Sequence, residues 1–261
     1  MQPIAIAVFD IDGVIRDVGG SYRRAIADTV EHYTQSRYRP TIEDIDQLKS
    51  EGIWNNDWKA SEEIIRRYYA QQQAESSASY EEITDYFQKR YRGPDTEDPD
   101  QWTGYISNEP LLVDKDYLEE LSRSGIPYGF FSGATQGSAN FVLQRRIGID
   151  QPVLIAMEDA PSKPDPAGLM MAVRMTEDQQ SLDSGLPVIY AGDTAADMQT
   201  ITAAKQQFPE RDWLAIGILP PHAQKDDAYK ANYAQKLKAA GAIAILDNVQ
   251  QITAPQLKAL L

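Results

Sequence analysis

No cysteine occurs in this chain of 261 residues, and that absence removes disulfides, thiolate nucleophiles and zinc–thiolate sites together. Histidine is nearly as scarce. His32 and His222 are the two present; one falls in a helical stretch and the other follows Pro220-Pro221, so both read as structural or solvent-facing and a histidine nucleophile is excluded. Basic residues are too few to offset the acids: 25 Lys and Arg against 39 Asp and Glu give a net charge of −14. Such a surface repels nucleic-acid phosphates and anionic lipid. No nucleic-acid or membrane partner is expected, and any anionic substrate has to meet a local positive site. No apolar run approaches membrane-spanning length, and the first one begins within a few residues of Met1, leaving no room for a signal peptide. The expected location is cytoplasmic. Nothing in the sequence signals an oligomeric state.

What is present is organised around residues 4–17. Six apolar residues, Ile-Ala-Ile-Ala-Val-Phe, run directly into Asp10-Ile11-Asp12-Gly13. An unbroken apolar run suits a strand of a parallel sheet buried on both faces, and ligands of such sheets sit beyond the carboxyl ends of the strands. Asp10 falls at that end. Alternation along a strand puts Asp10 and Asp12 on one side if the strand geometry lasts that far. Two acids there suit metal or acid–base chemistry.

Past Val18-Gly19-Gly20, a flexible exit, Ser21 stands where an N-cap is expected, before a helix carrying Tyr22, Ile26, Val30 and Tyr33 on one face. Residues 41–92 show helical signals and no strand, including a capping box from Ser79 to Glu82. A turn-rich acidic linker follows at residues 93–100. From residue 111 onward short apolar runs alternate with helices, the pattern of a parallel α/β sheet. Strands are expected at residues 128–131, 153–157, 188–191, 213–219 and 242–246. Thr135 should start one helix, which Gly148 should close, and Asp165-Pro166 should open another. The fold expected is α/β, a doubly wound Rossmann-like parallel sheet (residues 1–17 and 111–261) with a smaller all-helical domain (18–110) inserted after the first strand. The chain leaves the sheet through residues 16–20, expected to act as a hinge.

Polar residues collect at the strand ends. The first strand ends in Asp10-Ile11-Asp12-Gly13, the second in Ser132-Gly133, the third is soon followed by Ser162-Lys163-Pro164, and the fourth ends in Gly192-Asp193 with Asp197 beyond. Each alone is a weak signal. Together and in this order they resemble the haloacid dehalogenase superfamily, specifically the subfamily with a helical cap after the first strand, which includes phosphoglycolate phosphatase and β-phosphoglucomutase-like enzymes. The resemblance covers nearly the whole chain and says little about substrate.

It implies a Mg²⁺-dependent phosphoric monoester hydrolase working through an aspartyl-phosphate. A phosphoryl group in transit needs a nucleophile, neutralisation of its equatorial oxygens and a proton for the leaving alcohol. Asp10 can be the nucleophile. Mg²⁺ takes hard oxygen ligands, and the family's set matches Asp10, the main-chain carbonyl of Asp12, and Asp193. Ser132, with the N–H groups of Gly133 and Ala134, can hold phosphate oxygens, and Lys163 adds a point charge. Four ionised acids facing one divalent cation and one lysine leave the loaded site negative, and like charges close together raise at least one carboxylate pKa. Asp12 is the candidate to carry the proton, giving it to the leaving oxygen and later taking one from water. Asp197 is expected to orient Lys163 or a water on the metal.

The substrate expected is a small phosphorylated metabolite, a sugar or polyol phosphate. In the insert, residues 51–58 hold Trp54, Asn55 and Asn56, read either as a staple between helices or as a specificity loop in which the amides read hydroxyls and Trp54 excludes water. Arg16 is read as a contact to a second anionic group of the substrate. A phosphomutase would use the same residues. A metal-independent dehalogenase is disfavoured by Asp12. A phosphoryl-accepting receiver is disfavoured by the order of acid and lysine and by the large insert, and a silent binding protein by the completeness of the set.

Overall fold

The computed structural model describes residues 3–54 and 56–261. In chain order it runs through β1 (Ile6–Phe9), α1 (Tyr22–Tyr33), α2 (Ile42–Lys49), α3 (Asp57–Gln71), α4 (Tyr80–Tyr91), α5 (Lys115–Arg123), β2 (Tyr128–Phe131) and α6 (Gln136–Asn140). It continues through β3 (Leu154–Ile155), α7 (Ala167–Gln180), β4 (Val188–Gly192), α8 (Ala195–Gln207), β5 (Trp213–Ile218), α9 (Asp227–Ala239), β6 (Ala244–Leu246) and α10 (Ala254–Leu260). The chain divides into two compact units, Met1–Asp17 with Leu111–Leu261, and Val18–Pro110.

In the first unit all six strands are parallel, in the order β3-β2-β1-β4-β5-β6. Strand β1 is central because its residues are apolar on both faces. Ala5, Ala7 and Phe9 pack with Leu118 and Leu121 of α5 and Leu257 of α10. Ile6 and Val8 pack on the opposite face with Leu169 and Val173 of α7 and Met198 and Ile201 of α8. This is a doubly wound Rossmann-like sheet. Its strand order reverses between β1 and β4, and the crevice at such a reversal is where ligands bind.

Several elements are shorter or differently capped than the sequence predicts. The third strand spans only Leu154–Ile155. Thr135 does cap α6, accepting from Ser138 N–H, but the helix widens into a π-helical segment over Phe141–Ile147 before Gly148 closes it at φ 87°. Helix α7 starts at Ala167, one residue later than Pro166 suggests, with Asp165 accepting from Ala167 N–H at 2.8 Å.

The second unit is helical. Ser21 makes no capping bond to α1; its buried hydroxyl instead donates to Glu109 and to Val18 O. Thr41 and Ser79 form reciprocal capping boxes with Asp44 and Glu82. Tyr22 stacks on Tyr91 with ring centroids 4.2 Å apart, tying α1 to α4. Among the described residues no helix is long and apolar enough to cross a membrane.

Candidate active site

Strand β1 stops at Phe9, so Asp10 is the first residue past its end, with its N–H donating to Ala191 O of β4 at 2.9 Å. The chain then tightens rather than staying extended: Ile15 and Arg16 N–H groups both return to Ile11 O, at 2.8 and 3.1 Å. Gly13 makes this turn at φ 78°, and a Cβ there would stand 2.2 Å from Asp193 Oδ2. A residue other than glycine would strain the turn and push Asp193 aside. Strand geometry thus ends at Phe9, before both Asp10 and Asp12.

Lys163 occupies the centre. Its Nζ lies 3.0 Å from Asp10 Oδ1 and 2.7 Å from Asp197 Oδ1. Asp10 Oδ1 also accepts from Ile11 N–H at 2.8 Å. Burial pushes the Asp10 carboxyl up to about 7, against the opposing pull of Lys163, with Asp197 and Asp12 adding to the rise. Burial opposes the charge on Lys163, but Asp10 and Asp197 outweigh it and hold the ammonium above its usual range. Burial likewise opposes ionised Asp197, yet Lys163 and Thr194 hold it below the usual carboxylate range.

Asp197 is used twice. Its Oδ2 accepts from Thr194 N–H at 2.9 Å and Oγ1 at 2.6 Å, closing the capping box of α8, while Oδ1 takes Lys163 at 2.7 Å and the Tyr190 hydroxyl at 3.0 Å. Tyr190 also donates toward Phe131 O at 3.1 Å, and Lys163 Nζ lies 5.1 Å and 5.3 Å from the Phe131 and Tyr190 ring centroids. Neither aromatic stands out as a candidate in the sequence. The available signal was Tyr190 itself: a hydroxyl inside an otherwise apolar strand demands a buried partner.

Asp10, Asp193 and Asp197 each place a carboxylate oxygen within 4.8 Å of the others. All three are buried and all donors are hard oxygens, which suits Mg²⁺. Because both oxygens of Asp197 already serve Lys163, Tyr190 and Thr194, Asp10 and Asp193 are the donors that fit an ion best. Ser132, 1% exposed, is the first residue past β2, the strand beside β1. Its Oγ accepts from Ala134 N–H at 3.1 Å, so that amide is already engaged, contrary to its expected part in holding phosphate. Gly133 is exposed, with open space where a Cβ would stand.

Three of the sequence-predicted residues have defined partners in their own units. Arg16 is fully buried, its Nε 2.6 Å from Asp12 Oδ1, so its guanidinium faces the Asp12 carboxylate. Asn56 is the N-cap of α3, accepting from Trp58 and Lys59 N–H groups at 3.0 Å; its carbonyl oxygen is engaged by the backbone. Trp54 Nε1 donates to Glu51 at 2.8 Å, and its side chain lines a cavity of about 550 Å³ within the helical unit, with Glu62, Glu63 and Arg66. Asn55 lies outside the described residues.

The haloacid dehalogenase-like hydrolase family matches residues 4–205. The chain belongs to that family. An imidazoleglycerol-phosphate dehydratase from Phytophthora nicotianae is 33% identical over 176 residues, 66% of this chain and 36% of that protein; the matched stretch is thus about a third of the relative's length. Among solved structures, a phosphatase from Thermococcus thioreducens superposes with a TM-score of 0.61 at 21% identity, covering 88% of this chain and 99% of its own. A putative β-phosphoglucomutase from Thermotoga maritima does so with a TM-score of 0.60 at 19% identity, over 100% of both chains. As a haloacid dehalogenase-like hydrolase, the chain has its acid–lysine cluster where the sheet order reverses.

Proposed function

We propose that this haloacid dehalogenase-like hydrolase is a Mg²⁺-dependent phosphatase acting on a small phosphate monoester, in the sugar or polyol phosphate class. The observation that carries the reading is Lys163 clamped between Asp10 and Asp197, beside Asp193, at the topological switch of the sheet. Asp10, Asp193 and the main-chain carbonyl of Asp12 would hold Mg²⁺, which when bound neutralises phosphate oxygens and draws Asp10 into its ionised form.

The chain's own residues carry the steps. Lys163 and Ser132, with the Gly133 backbone, hold the phosphoryl oxygens. The Asp10 carboxylate attacks phosphorus in line, the bond to the ester oxygen breaks, and Asp12 gives that oxygen a proton. Water then attacks the aspartyl-phosphate, passing a proton to Asp12 and releasing inorganic phosphate and free Asp10. Tyr190 and Asp197 keep Lys163 aimed at the transferring group.

A phosphomutase would use the same residues and return the phosphoryl group to the sugar. The test is a phosphate-ester panel with and without EDTA, including sugar and polyol phosphates and, given the name of the 33% identical relative, imidazoleglycerol phosphate. Release of free phosphate that EDTA abolishes and Mg²⁺ restores is expected. Isomerised sugar phosphate without free phosphate would establish the mutase. Metal-independent turnover, or full activity in Asp10→Asn, overturns the mechanism.

A further inference from the structure

Arg16 is the largest of the fully buried side chains among the described residues. A guanidinium does not give up its proton in a protein, so taking it out of water is tolerated only beside a counter-charge or several hydrogen-bond acceptors. Here the counter-charge is Asp12: Arg16 Nε and one Nη both stand 2.6 Å from Asp12 Oδ1. The same Nη reaches Ser138 Oγ of α6 at 3.3 Å. The backbone repeats the attachment, since Gly13 N–H donates to Arg16 O at 2.9 Å and Arg16 bridges Leu111. Side chain and main chain of Arg16 thus both return to the Asp12–Gly13 turn.

Asp12 needs such a hold. Its side chain is 26% exposed and rides on a glycine turn, whereas a proton donor works only within hydrogen-bond reach of the oxygen it serves. Planar guanidinium contacts restrict a carboxylate more than a point charge does. We propose that Arg16 is a positioning residue of the phosphatase reaction: by fixing Asp12 Oδ1 it presents Oδ2 as the atom that gives a proton to the leaving oxygen and takes one back from water. Arg16 keeps its own protons throughout and, being buried, makes no contact with substrate. The inference rests on the phosphatase reading and on the part Asp12 plays in it.

The test compares two leaving groups. An alkoxide needs a proton to depart, and p-nitrophenolate does not. Steady-state kinetics on the best alkyl ester of the panel and on p-nitrophenyl phosphate should be measured for the native protein, Arg16→Lys, Arg16→Met, Ser138→Ala, Asp12→Asn and Arg16→Met/Asp12→Asn. Proton transfer contributes about 10²- to 10⁴-fold, and Arg16→Met should forfeit about tenfold or more of this on the alkyl ester beyond its loss on the aryl ester. The loss should fall in kcat and not KM, and Arg16→Lys should recover part of it. In the Asp12→Asn background Arg16→Met should cost nothing further. Should Arg16→Met not fold, Ser138→Ala, which removes one anchor of the guanidinium, has to show the same selective loss in weaker form. Equal losses on both esters in the Arg16 and Ser138 variants, while Asp12→Asn still discriminates between them, would refute the inference alone. An Asp12→Asn that does not discriminate would sink the phosphatase role of Asp12 and this inference with it.

Discussion

Asp197 holds Lys163 with one carboxylate oxygen, at 2.7 Å, while its other oxygen closes the first turn of α8 on Thr194. The start of α8 and the buried Lys163 ammonium are thereby locked to a single side chain. Asp197→Ala removes its half of the Thr194 capping box and one of the two carboxylates facing a buried ammonium. Breaking a buried pair in this way costs about 3 kcal/mol or more, and losing an orienting partner about 10- to 100-fold in activity. Urea unfolding and kcat/KM on the best substrate check both. A fully active, fully stable variant would show that Lys163 is held by other means.

Tyr190→Phe isolates the hydroxyl that reaches Asp197 and Phe131 O. The ring under Lys163 remains, so the expected cost is about 1 kcal/mol in stability and less than about tenfold in kcat/KM. Tyr190→Leu removes the ring as well and should lose more on both counts, since the aromatic face near Lys163 goes with it. If Tyr190→Phe proved as damaging as Lys163→Ala, the hydroxyl would have a direct chemical part.

Asp10 sets a pH dependence in metal-free protein. Its folded pKa, about 7, lies above the ordinary carboxylate value, so between those values the folded state binds more protons than the unfolded chain. The stability contribution is therefore fully present below the ordinary value and is lost as pH rises through about 7. Asp197, shifted the other way, contributes stability at neutral pH that is lost as pH falls below the ordinary carboxylate range. Thermal midpoints in EDTA should fall between pH 5 and pH 8. Asp10→Asn should flatten that slope and be the more stable protein at pH 8. An unchanged slope in the variant would assign it to another group.

Gly13→Ala brings a methyl group 2.2 Å from Asp193 Oδ2, at a backbone φ of 78°. One of the two proposed carboxylate donors must move. Calorimetric titration of Mg²⁺ should show affinity weakened by about tenfold or more, together with about 1–2 kcal/mol of lost stability. Unaltered affinity would exclude Asp193 as a ligand in its present position.

Asn56→Ala removes the N-cap of α3 and should destabilise by about 1 kcal/mol, with Asn56→Ser recovering most of the loss. Denaturant unfolding reads this, and the substrate panel reads whether specificity changes. A shift in substrate preference without loss of stability would return Asn56 to the substrate-reading role.

Much of the fold was legible because its signals are local. The apolar run at residues 4–9 meets Asp10 whatever the rest of the chain does, and the acids, serine and lysine fall after apolar runs that become β2, β3 and β4. The π-helical segment at Phe141–Ile147 carries no such signal, since nothing in its apolar pattern sets it apart from an α-helix. Arg16 misled for a related reason. Next to strand-end acids it reads as a contact to a substrate anion, and no local pattern reveals Ser138, 122 positions away, waiting to receive it.

The sequence by itself therefore determined the parallel α/β class, the helical insert and the residues that end each strand, since apolar periodicity and turn chemistry act between near neighbours. Only the tertiary structure decided what those side chains face. Lys163 meets Asp197 across 34 positions of chain and Arg16 meets Ser138 across 122, encounters that exist only once the order of the strands is set. The sign of a pKa shift and the partner of a buried charge depend on desolvation and distance, and both are properties of the packed molecule.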